Sequence, residues 1–495
     1  MKIALITPSN LSEIENSYYD FKFFSKFLFT KKYYSYYLSV PILTSLTPSK
    51  HKIKVFDENI EAIDYSWKPD LVGISVRTMV ANRAYEIADT YRKRGSKVVL
   101  GGIHPSMCTE EALQHCDAVV IGEAEKVWHN VLQDLSNGTL KQIYKADSFV
   151  DLATMPLPDR SKLKTKKYIN DFVQTTKGCP FHCEFCSVHA FDGQKIRNKP
   201  VEKVIEEIKS LNLSSGRYKN KGKAIFFADD NIIANIPYAR KLFKALIPLN
   251  IKWGCQASIN LSQDEELMIL MKQAGCGSVF IGFESISEKN LTAMTKNINI
   301  KHNYIEAIQK IHSHGLLIIG SFIVGYDFDT SDTFDELIKF IEEANIIDPF
   351  INILTPFPGT KLFQRLEQEG RILHKDWGKY DTQHVVFKPI SMTPEELLQG
   401  YNKVLKSIYS FDSIYRKLKY FSEEVGFWIP QNYVDPVNFH YRLLFALRMA
   451  SLMFSKNWQR SKFIVKVIPK IFDNRYRITK ILQLMACNDY AYRRE

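Results

Sequence analysis

No stretch of about eighteen uncharged apolar residues occurs in the 495-residue sequence, which leaves no candidate for a membrane-spanning helix. The longest uncharged stretch, residues 33–49, is broken by Pro41, Pro48 and several Ser and Thr. Cysteine is sparse. Of eight, Cys108, Cys116, Cys255, Cys276 and Cys487 are scattered with no pairing pattern, which excludes a small disulfide scaffold. Repeats and low-complexity tracts are missing, and 45% hydrophobic with 24% charged residues excludes a disordered or collagen-like chain. The apolar core of Met1-Lys2-Ile3-Ala4-Leu5-Ile6 is too short for a signal peptide and reads as a first strand, so a cytoplasmic chain is expected. The length is about three times that of a typical domain, which predicts two or three domains.

The net charge of +12 is unevenly spread. Residues 415–495 hold 15 Lys/Arg against 6 Asp/Glu, so +9 of it lies in the last sixth. Such a tail suits an acidic partner such as a phospholipid surface, nucleic acid or an anionic substrate, and suits a solvated helical surface equally well.

Over residues 1–150, short apolar runs alternate with helical spacing. Residues 2–7, 52–56, 71–76, 98–100 and 118–121 read as strands, and Ala84, Ile87, Ala88 and Tyr91 recur as one helix face. That alternation predicts a doubly wound parallel sheet, whose ligands sit beyond the carboxyl ends of the strands. Those ends carry Ser75, Gly101-Gly102-Ile103-His104-Pro105 and Gly122-Glu123. The glycines would serve tight strand-to-helix turns just as well. An insertion at 18–37, dense in Phe, Tyr and Lys, reads as a lid over an apolar ligand or as an amphipathic packing helix.

Residues 151–167, with Pro156, Pro158 and several Lys, read as a linker. Between 168 and 392 six more strand–helix units follow. Their strands end in the cysteine cluster, Asp229-Asp230-Asn231, Ser258, Glu284-Ser285, Gly325 and Thr355-Pro356. This predicts a partial (β/α)6 barrel with chemistry at the strand ends. Residues 393–495, starting at Thr393-Pro394-Glu395-Glu396, read as a basic helical region. Leu443, Leu447, Ala450 and Phe454 make one apolar stripe there, and Trp428 and Trp458 stand among the Lys and Arg.

Cys179-Pro180-Phe181-His182-Cys183-Glu184-Phe185-Cys186 is a C-x3-C-x2-C array in a loop after a predicted strand. Three soft thiolates on one loop suit an iron–sulfur cluster and leave one iron open to a substrate. A zinc site completed by His182 or His189 is the competing reading, although structural zinc sites usually show paired C-x2-C units.

This array, with an aromatic before its last cysteine, resembles the signature of radical S-adenosylmethionine (SAM) enzymes, which have a partial (β/α)6 barrel. The resemblance implies that Cys179, Cys183 and Cys186 hold a 4Fe–4S cluster and that SAM chelates the open iron. Reductive cleavage of SAM then gives a 5′-deoxyadenosyl radical that abstracts a substrate hydrogen. It also implies Phe185 near the adenine, Asp229 and Asp230 facing the SAM amino group, Glu284 at the ribose and Ser258 as a further contact. Each acid would equally serve as a helix N-cap. The stretches around Ser75, Gly101-Gly102 with His104, and Gly122-Glu123 are similar to the cobalamin-binding domain fused ahead of many of these barrels. By that likeness Ser75, Gly101, Gly102, His104 and Glu123 would line the cobalamin site. No Asp-x-His-x-x-Gly follows the first strand, so no histidine is offered to cobalt, a departure shared by cobalamin-dependent radical SAM methylases.

The resemblance thus implies a cobalamin-dependent radical SAM C-methyltransferase acting on a small-molecule or lipid-like substrate. An electron donor such as flavodoxin or ferredoxin is expected. In the basic tail the mix of Trp428, Trp458 and Lys/Arg beside apolar residues suits a membrane-surface helix, so peripheral membrane contact is expected there and a nucleic-acid partner is not. Cyclisation or rearrangement by the same radical is the alternative outcome. A methylthiotransferase would need three N-terminal cysteines, and only Cys108 and Cys116 precede Cys179. A cobalamin- or metal-sensing protein with a nucleic-acid-binding tail is the non-enzymatic alternative, against which the row of polar strand ends argues.

Overall fold

The computed structural model describes residues 1–9, 33–211, 224–300, 302–425, 443, 446–447, 458–473 and 478–493. Six short apolar segments build the first sheet: β1 (Lys2–Thr7), β2 (Lys52–Asp57), β3 (Leu71–Ser75), β4 (Lys97–Gly101), β5 (Ala118–Ile121) and β6 (Ile143–Lys145). Their order is β2-β1-β3-β4-β5-β6, and every pairing is parallel. Successive side chains of a strand point to opposite faces. Here Ala4 and Ile6 enter one apolar core while Ile3 and Leu5 enter another. Both faces are therefore covered, as a parallel sheet requires. The strand order reverses between β1 and β3, the switch point where doubly wound sheets open a ligand crevice. The sequence reading finds five of these strands. It misses β6, whose three residues are too few to show a period.

The second sheet has the order β14-β13-β12-β11-β10-β7, again all parallel, and curves into an open half-barrel. Its strands are β7 (Asn170–Val173), β10 (Ala224–Phe227), β11 (Trp253–Ala257), β12 (Cys276–Glu284), β13 (Leu317–Val324) and β14 (Asp348–Ile353). Between β7 and β10 lies a two-residue antiparallel hairpin, β8 (Thr176–Lys177) with β9 (Arg197–Asn198). The single strand expected to lead into the cysteine cluster is thus split. Asp229 draws the chain out of the sheet by accepting from Thr175 N at 2.9 Å and from the Thr176 backbone.

Outward-facing Phe227, Cys255, Val279 and Ile318 pack against amphipathic helices such as Val201–Ser210, Ile236–Leu246 and Glu265–Gln273. The last is capped by Asp264, which accepts from Leu267 N at 2.9 Å. The expected helix start at Thr393 is a capping box, in which Thr393 and Glu396 satisfy each other's backbone N–H and Pro394 follows as the first helical residue. That helix, Pro394–Ile408, lies on helix Ser331–Glu343, where a Cβ at Gly400 would stand 2.1 Å from Phe334 Cε2. Only glycine lets the two approach so closely. One continuous apolar core runs from the barrel through Tyr401, Phe463, Ile481 and Cys487.

Of the stripe expected in the last region, Leu443 and Leu447 are exposed, while Ala450 and Phe454, like Trp428, lie outside the described residues. Of the insertion at 18–37 only residues 33–37 are described. There Tyr34 meets Phe172 and Phe226 edge-on inside the barrel, and Tyr36 is buried against Tyr168. Among the described residues no helix is long and apolar enough to cross a membrane.

Candidate functional site

The three clustered cysteines ride on the loop that the β8–β9 hairpin closes. At its base Gly178 has φ +89°, and a Cβ there would lie 2.5 Å from Lys195 O, so the turn admits glycine alone. Cys179 N donates to Gly193 O at 3.2 Å and Cys186 N to Cys183 O at 3.1 Å. The loop is also tied from outside. Glu184 N donates to Met294 O at 3.1 Å, and Thr295 Oγ1 donates to His182 O at 2.7 Å. The Glu184 carboxylate accepts from Arg365 Nε at 2.7 Å and Tyr326 OH at 2.9 Å. These contacts aim Cys179, Cys183 and Cys186 into one cavity of ≈ 1120 Å³ above the strand ends. Burial raises all three thiols above their ordinary range, Cys186 to about 12. Uncharged thiols in an apolar setting become ligands only as a metal displaces their protons.

The same cavity is lined by Phe185, Asp230, Ser258 and Glu284, so four strand-end and loop residues singled out from sequence converge there. Asp230 lies three residues past the end of β10; burial, and then the negative charges of Asp192 and Asp229, push its carboxyl up to about 7. Ser258 is held by Asn231, whose Nδ2 donates to Ser258 Oγ at 3.0 Å. Glu284 ends β12 on a bulge at φ +64°, an uncommon conformation for a side-chain-bearing residue. Its carboxylate folds back over Gly282, where a Cβ would stand 2.2 Å from Glu284 Oε1.

Asp229 does not join them. It is 2% exposed, does not line the cavity, and spends Oδ1 on the backbone and hydroxyls of Thr175 and Thr176. Desolvation raises it to about 6, and Oδ2 has no hydrogen-bond partner. Its bonds to Thr175 and Thr176 turn Asp229 to the wall, and of the two acids only Asp230 lines the lumen. His189 shares the cavity, whereas His182 does not line it. Among the described residues no three His, Cys, Asp or Glu side chains stand where they could hold a single metal ion. A cubane is bound corner by corner, each thiolate to its own iron, and the donor set suits it.

A second cavity, ≈ 860 Å³, opens at the carboxyl ends of β1, β3, β4 and β5 and runs down to Gly73 and Trp128. Ser75, Gly101, Gly102 and Glu123 line it. Gly102 has φ +101°, and its Cβ would lie 2.8 Å from Val76 O, so the chain here is bare backbone that a ligand can approach closely. That cradle fits a cofactor tail laid against the sheet. His104 is placed elsewhere. The short helix Ile103–Met107 turns its ring into the protein, 3.0 Å from Tyr85 OH and edge-on to Trp377, and it does not line the cavity. Gln174, Lys177 and Phe191 of the half-barrel complete the wall, so one face of the cysteine loop lines each cavity.

Sequence reasoning missed Lys296, which enters the cysteine cavity from outside the strands and donates to Glu284 Oε1 at 3.1 Å. It also missed Gln256, Ser321 and Asn352, inward positions of β11, β13 and β14. Asn352 Nδ2 donates to Ser321 Oγ at 3.1 Å. Period-two alternation could have found these three; nothing local marks Lys296.

Residues 45–132 match the family described as B12 binding domain, residues 173–341 the radical SAM superfamily, and residues 360–493 a domain of unknown function (DUF4070). The chain is 36% identical to bacteriochlorophyllide d C-8(2)-methyltransferase of Chlorobaculum tepidum, over 78% of this chain and 88% of that protein. It is 27% identical to hopanoid C-2 methylase of Rhodopseudomonas palustris, over 68% of this chain and 65% of that one. In fold it is similar to the radical SAM methyltransferase TsrM of Kitasatospora setae, solved with cobalamin and a [4Fe-4S] cluster. The TM-score is 0.63 at 14% identity, covering 95% of this chain and 99% of that one.

Proposed function

Because the chain belongs to the radical SAM methyltransferases that carry a B12-binding domain, we propose that it methylates a carbon of an apolar, polycyclic or lipid-like small molecule. In this reading residues 1–150 hold cobalamin, 151–167 link, 168–392 hold the 4Fe–4S cluster and SAM, and 393–495 brace the barrel. When bound, the cluster and SAM supply a hydrogen-abstracting radical and cobalamin supplies the methyl group.

The chain's own residues prepare that chemistry. Cys179, Cys183 and Cys186 are the cluster ligands. The ammonium of Lys296 lowers the cost of ionising all three thiols. Phe185 and Phe280 give the cavity apolar walls that exclude water from a reactive centre, while Asp230, Ser258 and Glu284 offer polar groups to SAM. Asp230, held up to about 7, presents a half-protonated carboxyl near neutrality, able to donate as well as accept. In the other cavity Ser75, Gly101 and Gly102 give cobalamin a backbone-lined bed. The observation that carries this reading is the shared loop: the cysteines line one cavity while Lys177 and Phe191, on the same loop, line the other.

The substrate class is supported by two named relatives, a bacteriochlorophyllide methyltransferase and a hopanoid methylase. Peripheral contact with an anionic membrane fits such a substrate. Exposed Trp458, Val465 and Phe472 recur every seven residues near Lys462, Lys466 and Lys470. Failure to sediment with anionic liposomes at low salt would remove that part. The reducing electron comes from a carrier such as flavodoxin or ferredoxin.

The deciding experiment is anaerobic reconstitution with iron and sulfide, with and without hydroxocobalamin, followed by gel filtration. An oxygen-sensitive iron–sulfur absorbance with co-eluting cobalamin is expected. A cluster without cobalamin would favour the non-methylating outcome, and no cluster would return the cysteines to zinc.

A further inference from the structure

Two cations, directly opposite each other in the β8–β9 ladder, close on one carboxylate that belongs to the other sheet. Lys177 Nζ donates to Glu123 Oε1 at 3.0 Å, and Arg197 Nη1 donates to Glu123 Oε1 at 2.8 Å and Oε2 at 3.0 Å. Val150 N donates to Oε2 at 2.7 Å, so each carboxylate oxygen accepts two hydrogen bonds. Lys177 also donates to Glu125 Oε1 at 2.9 Å. The side chains of Glu123, Lys177 and Arg197 are 2%, 11% and 13% exposed, which makes this a nearly dry charge cluster.

Its location matters more than its strength. Glu123 follows β5 and lines the cavity that carries Gly101-Gly102; the hairpin is the base of the cysteine loop. Only Gly178 separates Lys177 from Cys179. That glycine is wedged against Lys195 O, so no slack exists between the ion pair and the first cysteine. A buried ion pair adds little net stability over apolar packing, but it is costly to leave half-made and it accepts a narrow range of geometries. Such a device specifies register rather than mere attachment. An apolar contact here would let the two sheets slide.

We infer that Lys177 and Arg197 are positioning residues that lock the cysteine loop to the rim of the neighbouring cavity, fixing the separation of the two cofactors. This rests on the reading that one cavity takes cobalamin and the other the cluster. Neither residue need touch a reacting atom. With the latch intact, the methyl donor and the radical-generating site are held in one register through each turnover.

The test has a cofactor-free arm and a loaded arm. In the protein without cofactors, Lys177→Met should speed amide exchange over residues 176–179 and 123–127 by about tenfold and leave β1 and β3 unchanged. Lys177→Arg should restore slow exchange. In the reconstituted protein, the reduced cluster should enhance the spin relaxation of cob(II)alamin. Compared at matched iron and cobalamin occupancy, Lys177→Met should alter that enhancement, and Lys177→Arg should recover it. Wild-type exchange in Lys177→Met would overturn the inference, and so would unaltered relaxation. If Lys177→Met does not fold, Glu125→Gln takes its place in the same exchange measurement. A rise of about threefold is then expected, and no rise overturns the inference. If the wild-type protein takes up no cobalamin, the functional reading fails, while the cofactor-free arm still decides the latch.

Discussion

Lys296 reaches Glu284 at 3.1 Å across the mouth of the half-barrel, pairing the end of β12 with a residue that belongs to no strand. Both side chains are largely buried, 15% and 10% exposed; burial by itself disfavours the ammonium, but the charge of Glu284 beside it more than offsets that and holds the lysine above its ordinary range. The pair stands beside the cysteines, so its charge belongs to the site and not to the surface.

Removing one member should therefore cost more than removing both. Lys296→Met is expected to destabilise the cofactor-free protein by about 3 kcal/mol, since it strands a buried carboxylate. Lys296→Met with Glu284→Gln should recover part of that loss, as read from urea melts of the two single variants and the double variant. A double variant no better than the sum of the singles would refute the coupling.

Cys183 is buried within the loop, and alanine there removes one thiolate with only a small cavity, about 1 kcal/mol. Cys183→Ala should fold, lose the iron–sulfur absorbance and lose SAM cleavage. Retained cleavage would sink the assignment of the three cysteines.

Gly102 separates the two cofactors experimentally. At φ +101°, with Val76 O 2.8 Å from its missing Cβ, Gly102→Ala should cost about 2 kcal/mol or more in strain and push the turn that rims the cradle out of place. The expected outcome is a protein that keeps its cluster and binds hydroxocobalamin at least tenfold more weakly. Equal loss of both cofactors would mean global damage instead.

Asp230 makes stability depend on pH with a definite sign. Its carboxyl holds a proton up to about 7 in the fold, against 3.8 for a free one, so the folded chain binds more protons through that interval. Stability contributed below the lower value is then lost as pH rises towards 7. Asp230→Asn should flatten the fall in Tm of the cofactor-free protein between about pH 4 and 7. An unchanged slope would show that Asp230 ionises normally.

The sheets were legible because their strands are short apolar runs ended by Gly, Ser or acid, and eleven of the runs read from sequence coincide with strands that form. The cysteines were legible because they are neighbours in the chain. Asp230, Ser258 and Glu284 were found by one rule, that barrels put polar groups at strand ends. The same rule cannot tell Asp229 from Asp230, because one residue of offset turns a side chain from the lumen to the wall. His104 was misplaced for a related reason: the glycine pair before it sets a helical turn that swings the ring towards Tyr85. Lys296, and the Glu123 latch with its partners 54 and 74 residues away, exist only through tertiary contact and leave no local trace.

The barrel's core closes only with Ile481, Met485 and Ala491, although its last strand ends at Ile353. During synthesis the six strands must therefore wait while well over a hundred further residues are made, on the order of ten to thirty seconds at ordinary translation rates. Through that interval the unclosed barrel shows apolar surface to the cell. A nascent chain halted after β14 should be a strong chaperone client, while the first sheet behind it, with cores largely its own, is already protected from protease.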